Sequence, residues 1–194
     1  TKEDVIARYT AMRDAIAATQ RPMVYAMCEK GQGTKVQAAT WSAPIGNMWR
    51  TGNDIAATWA RVLTSFDIVR DLGQYAKPGA WNDPDMLEVG NGKLTDAENR
   101  AHLSLWAIVA APLMMGNDPS NMSAPVKAVL TNSEVIAVDQ DPLGKAGKRL
   151  STSTTQAETW VRQLADGSVA AVLFNRGDNA ANMKVTWTDL GING

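Results

Sequence analysis

The feature that most limits the folds open to this chain is a change of hydrophobic period near residue 147. Before it, short apolar runs alternate with stretches whose apolar residues recur at helical spacing. Val5, Ile6, Tyr9, Met12, Ala15 and Ile16 predict an amphipathic helix over residues 2–19, stopped by Gln20-Arg21-Pro22. Residues 23–27 fit a short buried parallel strand, and a second is expected over 48–51. Ile55, Trp59, Val62, Leu63, Phe66 and Val69 place a helix over 55–72. A third strand is expected within 80–86 and a fourth over 112–115. Thr95, with Glu98 three residues on, reads as a capping box opening a helix that runs to about residue 110. Short helices follow over 125–130 and 133–138.

After residue 147 the period shortens. Strands are expected over 159–164, 169–174 and 183–187, with Ala165-Asp166-Gly167-Ser168 as a hairpin turn between the first two. The chain therefore reads as α/β alternation followed by antiparallel β.

About four parallel strands are half of what a closed (β/α)8 barrel needs, and such a barrel takes about 250 residues. Three further strands are too few for a two-sheet sandwich. The expected fold is thus the second half of a (β/α)8 TIM barrel over residues 1–145, then the start of an antiparallel β-sandwich over 146–194. The alternative is a complete open four-stranded α/β domain with a β tail, which would expose two parallel-sheet edges.

Composition narrows function by exclusion. Nineteen basic and 20 acidic residues leave a net charge of -1, no electrostatic case for nucleic acid or an anionic membrane surface. The longest apolar run, about residues 103–115, is interrupted by Ser104 and Pro112 and is too short for a membrane span. No leader segment is read at Thr1. With one Cys and one His, no zinc site of those ligands is expected. Seven Trp could stack on sugar rings, although on count alone core packing is the favoured account.

Three strand ends carry polar groups that could do chemistry. Trp49-Arg50-Thr51-Gly52-Asn53-Asp54 puts a carboxylate four residues from an arginine, at the barrel face where active sites sit. Spacing alone favours Asp54 as the N-cap of the following helix. Trp81-Asn82-Asp83-Pro84-Asp85-Met86 offers paired acceptors for sugar hydroxyls. A Pro turn with Asp bonded to local backbone, or a hard-cation site, fits the same six residues. Cys28-Glu29 ends the first strand; a buried thiol with a solvated Glu29 is the structural alternative. His102 reads as a helix-surface or core residue.

These strings, with Leu105-Trp106-Ala107, Ala111-Pro112-Leu113 and Asp139-Gln140-Asp141-Pro142-Leu143-Gly144, resemble the pattern of glycoside hydrolase family 27. That family holds α-galactosidases and α-N-acetylgalactosaminidases. The resemblance covers about residues 5–150, and its most specific string is Trp-Asn-Asp-Pro-Asp-Met. It implies a retaining hydrolase that releases terminal α-linked D-galactose, with an α-galactoside as partner and neither metal nor cofactor. An α-N-acetylgalactosaminidase or β-L-arabinopyranosidase of the same family, or a non-catalytic carbohydrate-binding protein, are the alternatives.

Residue by residue, Asp54 matches the general acid/base. Arg50 matches the residue near the sugar's 2-position, Asp85 and Met86 the pocket wall, and Cys28 and Glu29 the segment that senses the 2-substituent. The acid role implies an Asp54 pKa raised toward neutrality. Secretion or a periplasmic location, lysosomal in a eukaryote, goes with this type of enzyme, and a homodimer is left open.

Three departures accompany the match. The family's nucleophile, an Asp in a strand-end Lys-x-Asp string, has no counterpart upstream of Cys28, so the chain alone is expected to be inactive. Gly46 stands where many relatives have the cysteine that pairs with the Cys28-like one. Lys30 stands where relatives often have Trp.

Overall fold

Thr1 and Asp4 begin the computed structural model with a reciprocal cap. The Thr1 hydroxyl accepts from the Asp4 amide, and Asp4 takes the terminal ammonium at 2.8 Å. The structure describes residues 1–150, 154 and 156–192. The capped helix is α1 (Lys2–Ala18). The letters Lys2-Glu3-Asp4 thus belong to a helix start, not a strand end. None of its residues is buried; Ile6 and Tyr9 pack part-way onto a small cluster around Met27 and Trp49.

Three short parallel strands follow: β1 (Ala26–Met27), β2 (Met48–Arg50) and β3 (Trp81–Asp83), in the order β1-β2-β3. A four-residue helix, α2 (Ala39–Ser42), lies between the first two. The register pairs Met27 with Trp49, Trp49 with Asn82 and Arg50 with Asp83. All three strands therefore deliver their carboxyl ends to one rim. The Trp49 indole, fully buried, donates to Asn82 Oδ1 at 2.8 Å, and Asn82 donates to the Leu72 carbonyl at 2.8 Å. Asn82 is thus committed to the sheet and not to a ligand.

The first strand is shorter than expected because Met23 and Val24 have no pairing partner and stay exposed. The strand expected over 112–115 reduces to one parallel bridge, Leu87 with Met115. Ala110 turns the chain at φ 56°, Pro112 has no N–H to give a ladder, and the Pro112 carbonyl accepts from Met114 in a tight turn.

Helix α3 (Trp59–Val69) begins four residues later than the periodicity indicated, with Thr58 as N-cap. Helix α4 (Asp96–Ile108) carries the expected Thr95–Glu98 box. Its face of Leu103, Leu105, Trp106 and Ile108 is the centre of the main core. His102 is fully buried on the same helix. Helices α5 (Ala124–Leu130) and α6 (Ser133–Asp139) pack on α4, with Ser123 and Asn132 as N-caps.

A second sheet, antiparallel, is built from β4 (Lys148–Arg149), β5 (Ala157–Gln163) and β6 (Val169–Asn175). Gly167 at φ +87° closes the expected hairpin. The strand expected over 183–187 is absent: Asp189 accepts from the Thr186 amide and hydroxyl, a local bond that competes with a ladder, and Trp187 is exposed.

The sheet is joined to the helical layer by edge-to-face rings, Phe66 with Trp160 at 5.2 Å and Trp59 with Phe174 at 6.0 Å. Arg162, also buried, donates to the carbonyls of Ala107 and Asp139, at the ends of α4 and α6. Both carbonyls lie in the last turns of their helices, where a cation suits the helix dipole.

Asp139 itself is buried. Gln140 donates to one carboxylate oxygen, and the other has no hydrogen-bond partner. Burial pushes its pKa up from 3.8 to about 6. A carboxyl whose folded pKa lies above its unfolded value penalises the folded state as pH rises through that interval, and the full penalty stands above pH 6. Asp139→Asn is therefore expected to add about 1–3 kcal/mol of stability at pH 7 and little at pH 4. The lost attraction to Arg162 trims the gain. Urea unfolding at both pH values measures it; an equal change at both removes the titration account.

Candidate active site

The rim gathers around one guanidinium. Arg50, the last residue of β2, has a side chain 13% exposed, and its Nη2 lies 2.5 Å from Asp85 Oδ2 and 3.2 Å from Asp54 Oδ1. Two carboxylates from adjacent strand ends thus meet a single nitrogen.

Asp85 is the more constrained of the two. Its φ of 100° is a backbone conformation that L-residues rarely adopt. Four contacts hold it there. Asp83 Oδ1 accepts from the Asp85 amide, and Asp85 Oδ1 from the Met86 amide, both at 2.8 Å. Asp85 Oδ2 accepts from the Ile55 amide at 2.8 Å. The Trp106 indole donates to the Asp85 carbonyl at 2.8 Å. Asp83, beneath, is buried, and burial raises its pKa.

Asp54 is open to solvent, its side chain 77% exposed. It caps no helix, since α3 starts at Trp59. Its backbone carbonyl accepts from the Arg61 guanidinium. Its carboxylate binds a second cation, Lys30 Nζ, at 2.6 Å. The pKa of Asp54 is consequently lowered, first by the Lys30 hydrogen bond and charge, then by Arg50. The raised value expected of the acid is that of the complete site beside its nucleophile; the lowered one is set by this chain's own groups. Among the described residues nothing buries the carboxylate, and two cations outweigh the one neighbouring anion.

Glu29 does not reach this cluster. It is buried, with both oxygens turned into its own loop. They accept from the amides of Gly31, Gly33 and Thr34 at 2.7, 2.5 and 2.8 Å and from the Thr34 hydroxyl at 3.0 Å. The solvated Glu29 and the buried thiol of the structural alternative are both overturned, since Cys28 is exposed and unpaired. Cys28 and Glu29 line a cavity of about 410 Å³ against α1, with Tyr9 and Met12. Where a second cysteine could have stood, Gly46 packs on Met27, and a Cβ there would lie 2.7 Å from the Met27 sulfur. Met86 is partly exposed beside Gly116.

The structure therefore brings Arg50, Asp54 and Asp85 together, joins Met86 to them through its amide alone, and leaves Cys28 and Glu29 outside their hydrogen-bonded cluster. It adds Lys30, which spacing alone does not point to, and Trp106, which holds Asp85 from below. Among the described residues no group of three or more His, Cys, Asp or Glu is placed to hold a metal ion. No helix among them is long and apolar enough to cross a membrane.

The chain as a whole is similar to known proteins. The family model described as "Alpha galactosidase A" matches residues 1–141, and that of the "Alpha galactosidase C-terminal beta sandwich domain" matches residues 154–194. An α-galactosidase of Oryza sativa subsp. japonica is 43% identical over 190 residues, 98% of this chain and 45% of its own length. Among solved structures, α-galactosidase I from Mortierella vinacea superposes with a TM-score of 0.91 at 31% identity, over 98% of this chain and 52% of that one. The α-galactosidase from Saccharomyces cerevisiae with raffinose gives 0.91 at 29%, over 100% and 49%.

By fold, then, this is part of a (β/α)8 barrel followed by the beginning of an antiparallel β-sandwich. The chain spans about half the length of the relatives it matches. It belongs to the α-galactosidase A, or melibiase, family.

Proposed function

We propose that the protein to which this chain belongs is a retaining glycoside hydrolase that releases terminal α-linked D-galactose, with Asp54 as general acid/base. The observation that carries the reading is the sharing of Arg50 Nη2 by Asp54 and Asp85 at the barrel rim. A galactose ring presents vicinal hydroxyls, and fixed carboxylate and guanidinium groups orient them. Arg50 and Asp85 bind the sugar, with Met86 as apolar wall. Cys28 and Glu29 shape the neighbouring segment, Glu29 by closing its loop.

Retaining hydrolysis uses two carboxyl groups about 5–5.5 Å apart. One attacks the anomeric carbon while the other protonates the departing oxygen, then draws a proton from water to release the sugar. Asp54 takes the second role. The nucleophile is assigned to a strand end beyond these 194 residues, so the chain alone is expected not to turn over. Its anion beside Asp54 would counter Lys30 and Arg50, raising the Asp54 pKa in the complete site. The raffinose bound to the yeast relative indicates the substrate class. The protein is assigned outside the cytoplasm, secreted, periplasmic or lysosomal.

The test is hydrolysis of raffinose by the complete protein, followed by proton NMR of the first product. α-Galactose appearing before β-galactose supports retention; β first overturns it. A second reading has one observation in its favour, the lowered pKa of Asp54 in this chain, which keeps its carboxyl ionised. It makes the protein a galactose binder, and saturable binding with no turnover by the complete protein would select it.

A further inference from the structure

Lys30 is the residue at this rim that the proposed chemistry does not use. It follows Glu29 at φ 55°, again in the left-handed region, where a long side chain sits only if the surroundings hold it. Glu29 does so, by binding the three amides that close the turn behind it. The side chain that emerges is 12% exposed, and its one hydrogen-bonding partner among the described residues is Asp54 Oδ1 at 2.6 Å. Asp54 is thus where this ammonium is anchored, in a pair whose carboxylate end is open to solvent.

Two further links run alongside. Gln32 Nε2 donates to Asn53 Oδ1 at 3.3 Å, and Gln37 Nε2 to the Thr51 carbonyl at 3.1 Å. The loop after β1 is thus tied to the loop after β2 at three points, and Lys30 is the one that ends on the acid.

We propose that Lys30 is a positioning residue for the acid/base: its ammonium, presented by the Glu29-closed loop, holds the Asp54 carboxyl onto the Arg50–Asp85 pair. This rests on the acid/base assignment of Asp54. The charged and titratable groups facing Asp54 are Lys30 from the loop after β1, Arg50 from β2, and Asp85 and buried Asp83 from the β3 end. Arg61 approaches from α3 through the Asp54 carbonyl. Of these, Lys30 makes the shortest contact with the carboxylate. It favours the ionised form, so the protonated form that donates to a leaving group persists to a lower pH than it would with an uncharged residue at position 30.

The experiment uses the complete protein with Lys30→Met, which keeps length and removes charge, and Lys30→Arg, which keeps charge. One readout needs no turnover: the Asp54 carboxyl carbon, titrated by NMR. Its midpoint is expected to rise by about one pH unit in Lys30→Met and to stay near the parent value in Lys30→Arg. The second is the alkaline limb of kcat/KM for raffinose, which should move up by the same amount. An unmoved Asp54 midpoint in Lys30→Met, or an equal rise in both variants, overturns the proposal. Failure of the acid/base assignment looks different: Asp54→Asn then leaves turnover intact while the Asp54 titration still responds to Lys30.

Discussion

Asp54→Asn in the complete protein is expected to lower kcat/KM for raffinose by about 10²–10⁴-fold. The expectation follows from the leaving group. A sugar alkoxide is a poor leaving group and must be protonated as the bond breaks, and in the proposed site Asp54 is the donor. An aryl galactoside with an acidic phenol leaves without that proton, so its first step loses far less. Its second step slows, because no base draws the proton from water. Azide, which needs no base, should restore turnover of the aryl substrate and give the α-galactosyl azide.

The substitution is mild for the fold. Asp54 is exposed, it caps no helix, and an amide oxygen can still accept from Lys30 and Arg50. A loss of activity is thus a statement about chemistry. Raffinose turnover within a few-fold of the parent would take the acid/base role away from Asp54, and the galactosidase reading would need another acid.

What could be read from the chain before folding was mostly local. The Thr95–Glu98 box is a contact across three residues, and it forms as read. Alternation of β and α, and the hairpin at Gly167, follow from periodicity and a single backbone requirement. Strand lengths are different, because a residue is a strand only if a neighbour pairs with it. Met23 and Val24 have the composition of a strand and no partner among the described residues; residues 112–115 spend the Met114 N–H in a turn onto Pro112 and keep a single bridge to Leu87.

The site divides in the same way. Arg50, Asp54 and Asp85 stand at recognisable strand ends, and parallel register is enough to bring them to one rim. The Lys30–Asp54 pair spans 24 residues and depends on a turn that Glu29 closes. Its signal was present, an acid followed by Gly31, Gly33 and Thr34, but such a string only reports a tight loop and not where the next side chain aims. The lowering of the Asp54 pKa within this chain is hidden from the sequence for the same reason: its first cause is a cation from another strand end.

Trp106→Ala is expected to cost about 3–5 kcal/mol, a large part of the about 5–15 kcal/mol that stabilises an ordinary domain. Trp106 is fully buried in the last turn of α4, within the cluster that also contains Phe66, Trp160 and Phe174. It therefore supports the helical layer to which the second sheet is fixed. Its indole N–H holds the Asp85 carbonyl, so the same change leaves that oxygen without its partner and loosens a residue kept at φ 100°. Trp106→Phe separates the two effects: most of the packing remains, and the lost hydrogen bond should cost about 1–3 kcal/mol. Urea unfolding gives both values. His102 supplies an independent readout. Its ring sits edge-on to Trp106 at 4.1 Å, its Nε2 accepts from the Glu88 amide, and burial pushes its pKa down to about 4. Removing the indole admits water to that ring, and the His102 pKa should climb back toward 6.5 in Trp106→Ala. A variant that unfolds within about 1 kcal/mol of the parent, with His102 still titrating near 4, would mean that the core closes over the gap and that Trp106 is not what holds the Asp85 turn to the helices.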